Sequence, residues 1–368
     1  MKMPEQNNSH TLAGSDARER IPLLGMNPDD LKAVAAENGL KPFQARQIAR
    51  WLYVARVTDI ADMTDLSKEA RRRLALRYTV GREEPKAAAR SKDGTVKYLF
   101  EGQGGRDVEA VYIPDRDRAT LCISSQAGCK MGCRFCMTGR QGFHGSLTAA
   151  QIINQVLSVE NSESLTNIVF MGMGEPTDNL DAVLRAIEIL TAPWGLAWSP
   201  KRITVSTIGN IPALRRLIKE TRVHLALSLH SPFGAEREGI MPVERVWPVR
   251  KVLETLAEGD FAHQRRLSLE YIVFRGLNDD ERHSQALVRM LDDAGLKRDV
   301  RVNLIRFHAI PDAPFRSSSD AAIEAFRDRL NDAGVTATIR ASRGEDIMAA
   351  CGQLAGCART DRKDAPAQ

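Results

Sequence analysis

The stretch Ala119-Thr-Leu-Cys-Ile-Ser-Ser-Gln-Ala-Gly-Cys129-Lys-Met-Gly-Cys133-Arg-Phe-Cys136 decides how this chain is read. It opens as an apolar strand over Thr120–Ser124 and passes through small residues into three cysteines spaced C-x3-C-x2-C. Downstream, strand-like runs recur at Asn167–Met171, Arg202–Thr207, His224–Leu229, Leu267–Val273 and Val300–Arg306. Between and after them lie helical patterns at Ala149–Glu160, Leu180–Leu190, Pro212–Glu220, Pro248–Glu258, Asp280–Ala294 and Ala321–Ala333. Alternating strands and helices predict a parallel sheet in an α/β fold. A doubly wound sheet and a barrel both fit the rhythm, and six pairs fall short of the eight of a closed barrel.

Upstream of the quoted stretch, Thr95–Phe100 and Val108–Ile113 alternate about the turn Gly102-Gln-Gly-Gly, which predicts a β-hairpin over 90–115. Residues 26–85 carry helical stripes, with Asn27 a candidate N-cap before Pro28 and Gly39 a stop. Between positions 41 and 82 there are ten basic residues, Arg71-Arg72-Arg73 among them, against Asp59, Asp62, Asp65 and Glu69. That surplus of six exceeds the +5 of the whole chain. It is read either as a phosphate-binding surface for nucleic acid or as a solvated helix face. The first 25 residues are polar and predict a disordered leader, and the tail after Ala358 predicts a loose end.

Hydrophobic residues at 43% and charged residues at 27% are ordinary globular values. No apolar run approaches the roughly 18 residues of a membrane helix. Met1–Arg20 has no apolar core of a signal peptide, so a cytoplasmic setting is expected. Six cysteines in 368 residues are too few for a disulfide scaffold, so clustered ones point to metal or catalysis.

Three thiolates from one loop, Cys129, Cys133 and Cys136, can hold three irons of a cubane cluster and leave the fourth open. The alternative is zinc, with His144 as a fourth ligand. The spacing after a first strand resembles the radical S-adenosylmethionine superfamily. That resemblance implies one [4Fe-4S] cluster with three cysteine ligands, S-adenosylmethionine on the open iron, and a 5′-deoxyadenosyl radical. Met171-Gly-Met-Gly174-Glu175-Pro176 follows the second strand and reads as a ligand turn or simply a tight turn. Thr204–Thr207 and Ser228-Leu229-His230 end strands with polar residues, which are otherwise structural.

Asp107-Val-Glu109-Ala-Val-Tyr-Ile-Pro114, Cys122 before the cluster motif, Ser228-Leu-His230 and Cys351-Gly-Gln-Leu354 complete a pattern that resembles the dual-specificity ribosomal and transfer RNA adenine-C2 methyltransferases. The resemblance runs from about Met26 to Ala358. It implies a partial (β/α)6 radical-SAM barrel over 116–350, a helical RNA-binding accessory domain over 26–85, a β-hairpin linker, and a C-terminal segment over 351–368 bearing the methyl carrier. It implies methylation of C2 of an adenosine in 23S ribosomal RNA, at the peptidyl transferase centre, and in transfer RNA beside the anticodon. Two S-adenosylmethionine molecules are consumed. One methylates Cys351. The other is cleaved to a radical that activates the methyl group, giving a covalent RNA adduct. Cys122 frees Cys351 through a transient disulfide, and Glu109 matches the proton acceptor. Without the resemblance, both cysteines read as inert fillers and Glu109 as an exposed strand glutamate.

Gly174, Glu175, Ser206, Ser228, Leu229 and His230 match the family's S-adenosylmethionine contacts. His308 stands where the family has an asparagine ligand, and histidine keeps hydrogen-bonding capacity. An electron donor such as flavodoxin and a monomeric state are further expectations. The rival activities are methylation of adenine C8, which confers antibiotic resistance, and a non-enzymatic iron–sulfur or zinc RNA-binding protein.

Overall fold

The computed structural model describes residues 20–261 and 266–355. Ten strands form one sheet: β1 (Ala87–Arg90), β2 (Val96–Phe100), β3 (Val108–Asp115), β4 (Arg118–Cys122), β5 (Asn167–Phe170), β6 (Ile203–Thr207), β7 (His224–Ser228), β8 (Leu267–Val273), β9 (Val300–Arg306) and β10 (Thr336–Ile339). Their spatial order is their chain order. β1 to β4 are an antiparallel meander, and β4 to β10 are parallel throughout. A doubly wound sheet must reverse its strand order at a switch point. This sheet never does, so right-handed crossovers all place their helices on the same face. The result is an open, partial barrel, which settles the alternative the strand–helix rhythm leaves open and agrees with what the family resemblance implies.

Two details of the sheet differ from the sequence reading. A seventh parallel strand, β10, pairs with β9 through Arg301↔Thr336 to Leu304↔Ile339. Its four residues, Thr-Ala-Thr-Ile, alternate weakly and are too short to signal a strand. The hairpin is likewise not a detached linker. β3 pairs with β4 from Val111↔Cys122 to Asp115↔Arg118, so the meander extends the barrel sheet.

The six crossover helices form within a few residues of their expected limits. Thr148 caps the first, Ala149–Leu157, in a capping box with Gln151. Asp280 accepts the His283 N–H at the start of Glu281–Asp293. In β6, Ile203, Val205 and Thr207 are buried while Thr204 and Ser206 are half-buried. Alternation of this kind turns the apolar side to the helices and leaves polar groups facing the open interior. One cross-strand row, Ser228↔Glu270↔Asn303↔Thr338, runs through that interior.

The N-terminal module comprises Pro28–Glu37, Gln44–Ala49 continuing as a π-turn over Arg50–Val54, and Lys68–Arg77. Asn27 caps its first helix in a capping box with Asp30, as predicted. Its buried Leu31, Ile48, Leu52 and Leu74 belong to the same hydrophobic core as the barrel. Tyr53 packs edge-on against Trp194 at 5.7 Å. The leader ends earlier than expected. Ile21–Pro22 pair in parallel with Tyr78–Thr79, and Leu23 and Leu24 are buried. Two leucines at the end of a polar stretch are enough to anchor it. Residues 1–19, the tail after Ala358 and Cys357 lie outside the described residues. Among the described residues, no helix is long and apolar enough to cross a membrane.

Candidate active site

The cysteine loop leaves β4, crosses a short strand at Gln126–Gly128 and ends in the helical turn Met137–Arg140, for which Cys136 is the N-cap residue. Gly128 and Gly132 take positive φ of 73° and 64° there. Cys129 and Cys133 are buried and Cys136 is half-buried. Burial raises all three thiols, Cys129 to about 12; the neighbouring thiols and carboxylates add to the rise at Cys129 and Cys133, while hydrogen bonds from Gly139 and Thr138 hold Cys136 back. Three such thiols resist ionising together unless a cation compensates them, which is what a cluster's irons do. Among the described residues, no three His, Cys, Asp or Glu side chains converge as ligands of a single ion would. His144, the fourth ligand of the zinc alternative, has Nε2 3.2 Å from the Gln141 carbonyl.

The glycine turn after β5 packs directly on this loop. Met173 O accepts from Ser125 N at 2.8 Å and Gln126 N at 3.1 Å. Gly174 sits at φ +95°, and a Cβ there would lie 2.5 Å from Gln126 Cβ. Only glycine permits that approach. Glu175 is buried and accepts from Thr177 N at 3.1 Å and Ile208 N at 3.1 Å. Burial raises its carboxyl, and the Thr177 and Ile208 donors only partly offset this. Oε1 accepts a second bond, from Thr177 Oγ1 at 2.5 Å, whereas Oε2 accepts only from Ile208 N and retains capacity for a cationic amine.

His230 follows β7 in the left-handed region, at φ 59°. Its Nδ1 accepts from Ile272 N at 3.0 Å, so a neutral ring carries its proton on Nε2. Burial lowers its pKa to about 3, and Arg237 adds to the effect. Phe135 of the cysteine loop meets the ring edge-on at 4.8 Å. Arg237, which sequence reasoning missed, is fully buried beneath Ser228-Leu229. It donates to Leu229 O and Ser228 O, both at 2.9 Å, and pairs with Glu244. It sits among charged helix residues, Glu236-Arg237-Glu238, with nothing in the sequence to mark it as internal.

A cavity of about 170 Å³ opens at the C-terminal ends of the parallel strands. Cys122, Cys136, Gly174, Glu175, Ser206, His230 and Cys351 all line it. It thus gathers both extra cysteines, the last motif cysteine and four expected S-adenosylmethionine contacts. Ser228 and Leu229 lie outside its lining. His308 lies outside its lining, with Nε2 3.2 Å from Ser342 Oγ. Met171, which opens the glycine motif, also lines the cavity, as do Glu270 and Arg340, which no sequence motif marks. Arg340 is hidden because it follows β10, the strand whose pattern is weakest.

Glu109 is not the exposed strand residue its flanking valines suggest. It is 1% exposed and ion-paired with Lys97 Nζ at 3.0 Å. Its Oε2 accepts from Ala355 N at 2.7 Å. The segment bearing Cys351 therefore closes over Glu109. It is fastened further by Met137 N to Gly352 O at 2.7 Å, Thr138 Oγ1 to Leu354 O at 2.8 Å and Gln141 Nε2 to Ala355 O at 2.9 Å.

Comparisons with known proteins agree with this geometry. Residues 123–287 match the model of the radical SAM superfamily, and residues 21–80 match that of the ribosomal RNA large subunit methyltransferase N-terminal domain. A probable dual-specificity RNA methyltransferase RlmN from Parabacteroides distasonis is 55% identical, over 90% of this chain and 96% of its own. The dual-specificity RNA methyltransferase RlmN of Geobacter sulfurreducens is 43% identical, over 91% and 92%. A crystal structure of a radical SAM methyltransferase from Sphaerobacter thermophilus superposes with a TM-score of 0.85 at 36% identity, covering 91% of this chain and 99% of that one. This chain belongs to the RlmN family of radical-SAM RNA methyltransferases.

Proposed function

We propose that this protein methylates C2 of an adenosine in 23S ribosomal RNA and in transfer RNA, using Cys351 as methyl carrier and passing through a covalent RNA adduct. The observation that carries this reading is that Cys122 and Cys351, remote in sequence, line one cavity with Glu175, His230 and Cys136. Adenine C2 is an electron-poor carbon and does not attack a sulfonium methyl group directly. When bound, a [4Fe-4S] cluster and S-adenosylmethionine supply the one-electron chemistry that bypasses this barrier.

The chain's own residues have separable tasks. Cys129, Cys133 and Cys136 hold three irons. Glu175 accepts from the amine of S-adenosylmethionine, and Gly174 lets the backbone lie close to it. His230 offers an Nε2 donor, and Ser206 a hydroxyl. Ser228, Leu229 and His308 are the more distant contacts. Cys351 accepts the methyl group, Glu109 takes the C2 proton and Cys122 releases the carrier. Two S-adenosylmethionine molecules serve one turnover. The module over 26–85 grips RNA phosphates. A one-electron donor such as flavodoxin, a monomeric state and a cytoplasmic setting complete the reading.

The test separates the two extra cysteines. Cys351→Ala leaves RNA unmodified and no adduct. Cys122→Ala is expected to trap a denaturation-resistant complex between Cys351 and RNA. Mass spectrometry of modified RNA then locates the methyl group. A methyl at C8 overturns the C2 assignment, and normal turnover by Cys122→Ala removes Cys122 from the mechanism.

A further inference from the structure

Arg340 stands where the two extra cysteines meet. Its backbone N–H donates to Leu304 O at 2.8 Å. Its guanidinium lies 3.3 Å from Glu270 Oε2 and 3.6 Å from Met171 Sδ. Glu270 is fixed in turn, its Oε1 accepting from Asn303 Nδ2 at 2.8 Å and Ser268 Oγ at 3.0 Å. Cys122, Cys351, Glu270 and Arg340 line the same cavity. Of the titratable groups lining the cavity, Arg340 and Cys351 act on Cys122 directly and Glu270 through Arg340; Cys136, Glu175 and His230 line it as well.

We propose that Arg340 is the positioning residue of the release step, a tethered positive charge that keeps Cys122 nucleophilic towards the Cys351 sulfur. The proposal rests on the reading that Cys351 carries the methyl and Cys122 frees it. In that step the Cys122 thiolate attacks the Cys351 sulfur and an S–S bond forms. The bond between Cys351 sulfur and the RNA methylene breaks. Its electron pair passes to the carbon, which takes up a proton and becomes the methyl group. Two sulfurs are oxidised, the carbon is reduced, and a dithiol reductant later restores both thiols.

The attacking group must be a thiolate. Burial pushes Cys122 up to about 12, with Cys351 adding to the rise and Arg340 opposing it. Arginine keeps its charge in such a place, and the Glu270 tether stops it swinging to solvent.

The test uses the purified holoprotein without RNA. Diamide drives the Cys122–Cys351 disulfide, quantified by peptide mass spectrometry from pH 6 to 10. Arg340→Met should slow its formation about tenfold at neutral pH, which corresponds to about one unit of thiol pKa, and move the profile to higher pH. Arg340→Lys should restore most of it. Glu270→Gln loosens the tether and should shift the profile in the same direction as Arg340→Met, by less. Arg340→Lys keeps the charge and so separates it from damage to packing. An Arg340→Met profile that superposes on wild type, or an Arg340→Lys profile that follows Arg340→Met, overturns the proposal. With RNA present, Arg340→Met should accumulate the adduct while Cys351 methylation continues. Absence of any adduct in Cys122→Ala would sink the carrier reading instead, and the pH profiles would still report on Arg340.

Discussion

At the scale of single residues, the site is built from buried polar groups whose partners are few and specific. Lys97 and Glu109 form such a pair, with side chains 11% and 1% exposed. Removing one member of a buried pair strands the other, at a cost of about 3–5 kcal/mol. Lys97→Met should therefore lower stability by about that amount in urea denaturation, far more than a surface lysine would. Gly174→Ala forces a Cβ to 2.5 Å from Gln126 at a φ of +95°. It should cost about 1–3 kcal/mol and weaken S-adenosylmethionine binding in equilibrium dialysis. His230 gives a pH signature. Its folded pKa of about 3 lies below the 6.5 of a free imidazole. Above pH 6.5 both folded and unfolded states hold it neutral, and its contribution is fully present. As pH falls from 6.5 towards 3, only the unfolded chain takes up the proton, so stability declines by up to about 1.4 kcal/mol per pH unit. Urea midpoints at pH 7.5 and 5.5 should differ accordingly, and His230→Gln should flatten the difference. Burial decides Lys97, Glu109 and His230, and burial is what sequence reveals least. The cysteine motif is legible because spacing alone implies a shared ligand. Glu109, Lys97 and Arg237 are not, because a charged residue inside reads the same as one outside until its partner is known.

At the scale of elements, the charge of the basic helical module falls into two sets. Arg56 donates to Ser162 Oγ at 3.1 Å, Arg82 to Leu157 O at 2.6 Å, and Arg77 pairs with Glu37 at 3.3 Å. These hold the module together or pin it to the barrel. Arg46, Arg50, Arg72 and Arg73 are exposed and make no such tie among the described residues. Deleting the module would expose the core it shares with the barrel, so charge removal is the cleaner test. Replacing those four arginines with glutamine should leave melting temperature nearly unchanged and flatten the salt dependence of RNA binding. The slope should fall by about 0.7–0.9 for each phosphate that is no longer neutralised. An unchanged slope would mark the charge as a solvated face. The strand–helix rhythm is readable because apolar runs of five to seven residues carry a strong signal. β10 escapes because four alternating residues at a sheet edge carry little.

At the scale of the whole molecule, one hydrophobic core runs from Leu23 through the module and the barrel to Leu354. Module and barrel should therefore melt together. Tryptophan fluorescence, reporting Trp51 in one and Trp194, Trp198 and Trp247 in the other, should coincide with far-ultraviolet circular dichroism in a single transition. Two separated transitions would contradict a shared core. The segment that carries Cys351 is of a different kind. It belongs to no strand, and a handful of hydrogen bonds to Glu109, Met137, Thr138 and Gln141 fasten it. Such a strap opens locally at a small fraction of the global unfolding free energy. Its amides, Ala355 N–H above all, should exchange with deuterium long before those of β7 and β8. A carrier mounted this way, the role proposed for Cys351, can be lifted and reseated on every cycle while the barrel beneath stays closed to hydrogen exchange.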